Sequence, residues 1–351
     1  MIFASDNWAG ASDKVVSALS AVARRGGPAY GGDELTRSVE TRFADFFEHE
    51  VKVFLVGTGT TANTLAIANY ARPGGVVFCH RDAHINVDEA GASEFFSGAK
   101  LIGIEGRDGK YTAEALGAAV ARFGEGAVHH GQPVVASVSE VTELGAAYRP
   151  EEIAAISARA RRRGLALHMD GARFAGAVAG LGVAPAELTW KAGIDVLSFG
   201  GTKGGCIAAE AVVFFNPADC RDFGFARQRA GHGFSKAWFI AAQFEAWLEG
   251  GHWLDLARHA NHMGARMAQA IGASGTARLS LEPAANEIFA IMPMAVEARL
   301  KAAGAVFNRW AAESLPADER PGPDEVLVRL VTSFQTTEDE VDRFAAHLAK
   351  G

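Results

Sequence analysis

The chain has 351 residues, of which 49% are hydrophobic, so it can bury a large core and is expected to form two domains. Its 34 Lys and Arg residues and 41 Asp and Glu residues give a net charge of −7 without a basic block, which argues against broad binding to nucleic acids or anionic membranes. The lack of a signal pattern, of an apolar run of bilayer length and of a cysteine framework predicts a soluble, cytoplasmic protein.

The first 216 residues alternate between helix and strand signals. Ser12 can cap a first helix, and an apolar stripe predicts a second helix over residues 34–47. The strand-like runs that follow are almost continuously apolar, which predicts an α/β fold whose mostly parallel, seven-stranded sheet is covered by helices. These runs lie at residues 51–56, 75–80, 100–105, 133–140, 165–170, 195–200 and 210–216.

The pattern changes after about residue 245. Shorter strand-like runs alternate with helices there, and the last helix begins with a capping box at Thr337 and Glu340. We therefore predict a large domain with an N-terminal segment over residues 1–245 and a smaller C-terminal α+β domain over residues 246–351.

The first strand, turn and helix allow two interpretations. In VFLVGTGTTANTLAI, the spacing Gly57-x-Gly59-x-x-Ala62 fits the dinucleotide-binding pattern, and Asp82 ends the next strand, where a ribose-binding acid would lie. The same turn can hold a single phosphate, because Gly59 and Thr60 offer amide donors, a hydroxyl and the positive end of a helix dipole. This stretch alone does not decide between a nicotinamide cofactor and another phosphate ligand.

Two later strand ends carry more specific chemistry. Asp170 ends a buried strand in LALHMDGARF, where a salt bridge with Arg173 is the structural alternative to a functional carboxylate. Lys203 follows the next strand in DVLSFGGTKGG, where a Schiff-base lysine and a flexible surface loop are the alternatives. Together, a carboxylate that keeps a pyridine nitrogen protonated and a lysine that binds an aldehyde are what pyridoxal 5'-phosphate (PLP) requires. The pair therefore favours PLP over a nicotinamide cofactor.

Motifs along nearly the whole chain point to one enzyme family. They are ASDNWAG, AYGGDELT, TGTTAN, AHINVDEAG, HMDGARF, FGGTKGG and LVRLVT, and HMDGAR with the lysine motif is the most specific combination. With them the chain resembles the low-specificity L-threonine aldolases, which are fold-type I PLP enzymes. The resemblance implies an aldehyde-lyase that cleaves L-threonine, L-allo-threonine and related β-hydroxy-α-amino acids, phenylserine among them, to glycine and an aldehyde.

Three other activities remain as alternatives to the aldolase. A β-eliminating lyase or an aminotransferase would use the same fold and cofactor on another amino acid. A dinucleotide-binding oxidoreductase would use the glycine turn and Asp82 without a Schiff base.

The resemblance also implies which residues hold the cofactor. Lys203 would be the Schiff-base lysine, and Asp170 would pair with the pyridine nitrogen. His84 would stack on the cofactor ring near the substrate hydroxyl, while Gly59 and Thr60 would bind the phosphate. Further cofactor contacts are implied for Arg173, Arg229 and Lys236.

Substrate binding is implied at the cleft between the two domains. The residues that would hold the amino-acid carboxylate are Ser5, Arg173 and Arg329, the last from the small domain. The residues that lie where the family draws on a neighbouring subunit are Tyr30, Arg229 and Lys236. We therefore expect a homodimer or homotetramer with active sites at the subunit interface.

One departure from the family concerns proton transfer. Many members have a second active-site histidine in an Asn-Thr-His stretch, and this chain has Val141-Thr142-Glu143 there. We expect His84 to be the base that removes the hydroxyl proton, because an ordinary histidine pKa of about 6.5 suits exchange near neutrality. Glu143 is the second candidate for this base. Its presence leaves the preference between threonine and allo-threonine open.

His80, at the end of the second strand, and His84, just after it, raise the question of a metal site. Cys79, His80, Asp82 and His84 are close in sequence, but a His pair spaced by four binds a metal well on a helix. This segment is predicted to be a strand followed by a loop, so we expect no metal.

Overall fold

A computed structural model describes residues 1–349. Its main sheet has seven strands in the order β1-β7-β6-β5-β4-β2-β3. The strands are β1 (Lys52–Val56), β2 (Gly75–His80), β3 (Lys100–Ile104), β4 (Gln132–Ser139), β5 (Ala166–Gly171), β6 (Val196–Gly200) and β7 (Glu210–Phe214). The predicted seven-stranded sheet is confirmed, and the largest shift is at β7, which ends at Phe214 rather than at residue 216.

The direction of β7 differs from that of the other strands. β2 to β6 pair in parallel, whereas β7 runs antiparallel to both of its neighbours, β1 and β6. In the register, Glu210 lies opposite Val56 on one side and Gly200 on the other. The first residue of β7 therefore lies at the same sheet edge as the last residues of β1 and β6.

Helices cover the sheet, and polar caps mark where several of them begin. Ser12 accepts a hydrogen bond from the Val15 N–H, and Thr337 and Glu340 form the predicted capping box. The α-helices are α1 (Asp13–Val22), α2 (Glu34–Phe47), α3 (Gly59–Tyr70), α4 (His84–Val87), α5 (Ala92–Ser97), α6 (Ala113–Ala121), α7 (Pro150–Arg161), α8 (Phe174–Leu181), α9 (Pro185–Leu188), α10 (Phe223–Arg229), α11 (Trp238–Leu248), α12 (His252–Ala273), α13 (Met294–Ala302) and α14 (Glu338–Leu348). Short 3-10 helices lie at Asp6–Trp8, Trp190–Ala192, Thr202–Gly204, Pro217–Cys220, Glu249–Gly251 and Ala312–Ser314.

An aromatic cluster holds α2 and α11 on the main sheet. Phe43 packs edge-to-face on Phe199 of β6 and on Phe244 of α11, with ring centroids 5.4 and 5.3 Å apart. Phe47 and Trp247 complete the cluster, and all five side chains are fully buried. Burying one such ring contributes about 1.5–3 kcal/mol, so this cluster fixes α11 firmly behind the end of β6.

A second sheet lies in the C-terminal part of the chain. Its order is β10-β11-β9-β8, with the strands β8 (Arg278–Leu279), β9 (Glu287–Pro293), β10 (Asn308–Arg309) and β11 (Glu325–Val331). Its core includes Phe3, whose ring centroid lies 5.5 Å from that of Phe344. The division after residue 245 stays a prediction, and α11 runs across that position. Among residues 1–349, no helix combines the length and apolarity that a membrane crossing requires.

Candidate functional site

A cavity of about 460 Å³ opens at the carboxyl edge of the main sheet. This volume suits a small cofactor and its substrate. The ends of β4 and β5 and the turns that follow β1 and β6 contribute to its wall, as expected for ligand sites of open α/β sheets. The predicted site residues that line it are Gly59, Thr60, His84, Glu143, Asp170, Arg173 and Lys203.

Asp170 is a buried carboxylate held from two sides. The Asn63 Nδ2 donates to its Oδ2 at 2.7 Å, and the Ala172 N–H donates to its Oδ1 at 3.0 Å. Asn63 lies on α3 and donates a second hydrogen bond, of 2.9 Å, to Glu89. Arg173 pairs elsewhere, so the salt bridge considered as the structural alternative does not form. The carboxyl group is therefore fixed in orientation at the wall of the cavity.

Lys203 lies in the 3-10 turn that directly follows β6. This turn is tightly packed, because a Cβ on Gly200 would lie 2.7 Å from the Ala172 oxygen and one on Gly201 would lie 2.8 Å from the Ala209 oxygen. The Trp247 Nε1–H also donates to the Gly204 oxygen at 2.8 Å. The close packing and the anchored turn favour a positioned lysine over a flexible surface loop, and the Schiff-base role of Lys203 stays a prediction.

His84 begins the one-turn helix α4, where the sequence predicted a loop. Its Nδ1 lies 2.9 Å from the Glu89 Oε1, and this hydrogen bond, opposed by burial, raises the pKa of the imidazole. With Glu89 ionised beside Nδ1, a neutral His84 carries its proton on Nδ1 and leaves Nε2 free to accept another. The arrangement gives the site a base of defined orientation.

The metal ligands considered from the sequence do not gather into one site. His80 uses Nε2 to donate to the Gly106 oxygen and Nδ1 to accept from the Asp82 N–H, each at 3.2 Å. His84, Glu89 and Asp170 do place donor atoms within 4.8 Å of one another. Structural zinc requires four ligands, and these three are already joined through hydrogen bonds, so the absence of a metal stays our prediction.

Glu143 is a buried carboxyl group beside His84. Its Oε1 accepts from the His84 N–H at 2.8 Å and from the Ser139 hydroxyl at 2.9 Å. Its Oε2 is buried and has no hydrogen-bond partner among the residues that the structure describes. Burial raises the pKa of Glu143 to about 7. The group can therefore donate or accept a hydrogen bond near neutrality.

Two arginines share a buried carboxylate near the cavity. Arg173 donates from Nε and Nη2 to Asp6 at 2.8 and 2.9 Å, and its Nη1 lies 3.1 Å from the Glu287 Oε2. Arg329 Nη1 lies 3.7 Å from the other oxygen of Glu287, and its guanidinium stacks over Trp310 at 4.5 Å. Although burial opposes it, the charge of Arg173 lowers the pKa of Asp6 to about 2. The cluster holds two cationic side chains next to each other.

Five predicted residues, Arg329 among them, lie outside the lining of this cavity. Ser5 accepts a hydrogen bond from the N–H of Asn7, which does line the cavity. The side chains of Tyr30, Arg229 and Lys236 are exposed in the single chain. The Tyr30 N–H donates to the Ser235 oxygen at 3.0 Å, so two of these exposed segments meet.

Several residues of the site escaped the sequence analysis. Asp6, Asn63 and Glu89 lie inside the quoted motifs ASDNWAG, TGTTAN and AHINVDEAG, so the motifs contained a signal that was not used. Glu210 and Glu287 each begin a strand, and nothing local in the sequence marks them as site residues.

Comparison with known proteins gives a consistent result. The family described as Beta-eliminating lyase matches residues 3–294. The chain is 40% identical to the low specificity L-threonine aldolase of Pseudomonas sp. (strain NCIMB 10558), covering 82% of this chain and 83% of that one. It is 39% identical to the enzyme of the same name from Pseudomonas aeruginosa, over 89% and 90% of the two chains.

The fold agrees with the sequence comparison. The structure of a threonine aldolase from Leishmania major matches with a TM-score of 0.91 and 26% identity, over 99% of this chain and 98% of that one. The predicted fold class and the resemblance to the threonine aldolases are therefore confirmed. The chain belongs to the beta-eliminating lyase family, among the low-specificity L-threonine aldolases.

Proposed function

We propose that this chain is a PLP-dependent aldolase. It cleaves L-threonine, L-allo-threonine and related β-hydroxy-α-amino acids, phenylserine among them, to glycine and an aldehyde. The observation that carries this proposal is that Lys203 and Asp170, at the ends of neighbouring strands, line one cavity together with the turn that begins α3. A hydride-transfer enzyme has no use for that pair.

The residues of the cavity fit PLP on three sides. The fixed carboxylate of Asp170 suits the pyridine nitrogen, and the amine of Lys203 suits the aldehyde. The amides of Gly59 and Thr60 at the start of α3, with the helix dipole, suit the phosphate. When bound, PLP supplies an electron sink for the pair of electrons released at the substrate Cα.

Arg173 and Arg329, with Ser5, hold the substrate carboxylate in this proposal. The Arg329 Nε is buried and has no acceptor among the residues that the structure describes, so an incoming carboxylate would satisfy it. Bidentate guanidinium contacts fix the orientation of a carboxylate as well as its position. The bond between Cα and Cβ is thereby held in the orientation that cleavage requires.

His84 removes the proton of the substrate hydroxyl. Glu89 holds the ring through Nδ1, so Nε2 accepts the hydroxyl proton as the bond between Cα and Cβ breaks. The raised pKa of His84 makes it a stronger base than an ordinary histidine. Glu143 is the second group that can exchange a proton or a hydrogen bond with the substrate.

The products of the reaction test the proposed function. The purified chain with added PLP is expected to convert L-threonine, L-allo-threonine and phenylserine to glycine and the matching aldehyde. Chromatography of the amino acids and an aldehyde-reductase assay measure the two products, and chain without PLP is the control. A keto acid in place of glycine would indicate an aminotransferase or a β-eliminating lyase, and nicotinamide binding without cleavage would indicate the oxidoreductase.

Glu143→Gln is expected to change the preference between L-threonine and L-allo-threonine. With a pKa of about 7, Glu143 is a donor at lower pH and an acceptor at higher pH, whereas glutamine does not titrate. One hydrogen bond of about 0.5–1.5 kcal/mol would change the ratio of kcat/KM for the two substrates by up to about tenfold. The ratio should vary with pH in the wild type and not in the variant, and identical pH profiles would remove Glu143 from substrate recognition.

We also propose a cytoplasmic homodimer or homotetramer. The exposed Tyr30, Arg229 and Lys236 would reach the active site of a neighbouring subunit, Tyr30 at the substrate and the other two at the cofactor. The three cysteines are free and buried, which suits a reducing compartment. No nucleic-acid or membrane partner is proposed, in keeping with the net charge of −7.

A further inference from the structure

Glu210 is a buried acid that the proposed mechanism does not use. It is the first residue of β7, the strand that runs against the direction of its neighbours. Because of this reversal, Glu210 lies at the carboxyl edge of the sheet, between the end of β1 and the end of β6. Its side chain lines the cavity and is 6% exposed.

The two oxygens of Glu210 face the two turns of the site. The Thr202 N–H donates to Oε1 at 3.3 Å, next to Lys203. A Cβ on Gly59 would lie 4.0 Å from Oε2, so this oxygen is close to the turn that begins α3. A carboxyl group therefore borders the place where the amides of Gly59 and Thr60 would receive a phosphate. An ionised Glu210 and a phosphate bound at this turn would repel each other.

Within the single chain, the charged groups around Glu210 do not supply a full counter-charge. The hydrogen bonds from Thr202 and the charge of Lys203 act to keep the carboxyl group ionised, and the charge of Asp170 acts against them. Cys206 also lies near and is uncharged, since burial raises the pKa of its thiol well above the usual range. Burial is the largest effect on Glu210, and it raises the pKa of the carboxyl group to about 7. Glu210 can therefore change its charge near neutrality.

We propose that Glu210 belongs to the subsite for the cofactor phosphate and carries a proton whenever that phosphate is bound. This inference rests on the proposed PLP dependence. Phosphate and proton bind together, because the bound dianion stabilises the neutral carboxyl group. Below a pH of about 7 the proton is already present, and above it each binding event takes up one proton. The affinity for PLP therefore falls by up to about tenfold for each pH unit above 7.

Dissociation constants for PLP and pyridoxal test this proposal. Pyridoxal has the same ring and aldehyde but lacks the phosphate, and Glu210→Gln keeps the size and hydrogen-bonding shape of the side chain without its charge. Absorbance titrations of the cofactor-free chain between about pH 6.5 and pH 9 give the constants for both proteins. The ratio of wild-type to variant constants should rise with pH for PLP and stay flat for pyridoxal. The second ionisation of the PLP phosphate, near pH 6, affects the dissociation constants of both proteins equally, so it cancels in this ratio.

Proton uptake gives a second measurement, which needs no variant. Calorimetry at about pH 8, in two buffers of different ionisation enthalpy, counts the protons taken up on binding. The wild-type chain should take up about one more proton with PLP than with pyridoxal. Equal counts, or equal pH dependence of the PLP constants in wild type and variant, would overturn the role of Glu210 while leaving PLP dependence intact. If PLP binds to neither protein, the proposed cofactor itself is wrong.

Discussion

Lys203→Ala is expected to lower turnover by roughly 10⁴-fold or more and to remove the visible absorbance of the bound cofactor. Lys203 is the lysine that lines the cavity, and its turn is anchored by Trp247. Alanine keeps that turn but removes the only amine proposed to bond to the aldehyde. Spectra of the protein with added PLP and initial cleavage rates measure the two effects.

A covalent trap identifies the same lysine without measuring turnover. Borohydride should fix the cofactor to the wild-type chain, and mass spectrometry should find the added mass on the peptide that contains Lys203. Lys191→Ala is a matched control, because Lys191 lies in an exposed ion pair with Glu187 outside the cavity. A Lys203→Ala protein that still gains the cofactor mass and keeps its spectrum would reject the assignment.

Asp170→Asn is expected to lower kcat by roughly 10²–10³-fold, because the charge that stabilises a protonated pyridine nitrogen is lost. Asparagine has nearly the same shape, and its single oxygen can still accept from the Ala172 N–H, although the bond that Asn63 donates to the second oxygen is lost. The affinity for PLP should change much less than kcat. Stopped-flow absorbance and steady-state rates separate binding from turnover.

Asp195→Asn separates this effect from the simple loss of an acid that is at least partly buried. Asp195 immediately precedes β6 at the opposite edge of the sheet and accepts from the Leu167 N–H at 2.7 Å. Its replacement should lower thermal stability and leave kcat near the wild-type value. If Asp170→Asn and Asp195→Asn had the same kcat as the wild type, Asp170 would have no electronic role.

The sequence was a good guide to elements whose signal is local. The continuous apolar runs identified the strands, and Ser12 and Thr337 marked helix starts, since caps act within one turn. The end of a parallel strand is also a local feature, so Asp170 and Lys203 could be predicted to lie together. These two residues were enough to favour PLP.

Residues brought together by distant parts of the chain could not be found in this way. Asp6 and Glu287 are 281 positions apart, yet both contact the guanidinium of Arg173. Glu210 reaches the cavity only because β7 is antiparallel, and an apolar run gives no information about strand direction. His84 was expected in a loop, because a single helical turn is too short to show a periodic pattern.

The position of β7 also sets an order of events during synthesis of the chain. The pairing partner of β1 is β7, so Val56 has no strand beside it until Glu210 has been made, 154 residues later (210 − 56). At about 5–20 residues per second, β1 waits for roughly 8–30 seconds. During that time the glycine turn follows a strand that has no pairing partner. We therefore expect the nascent chain to complete most of its large sheet before the proposed phosphate site can form, which would make cofactor binding a late event in maturation.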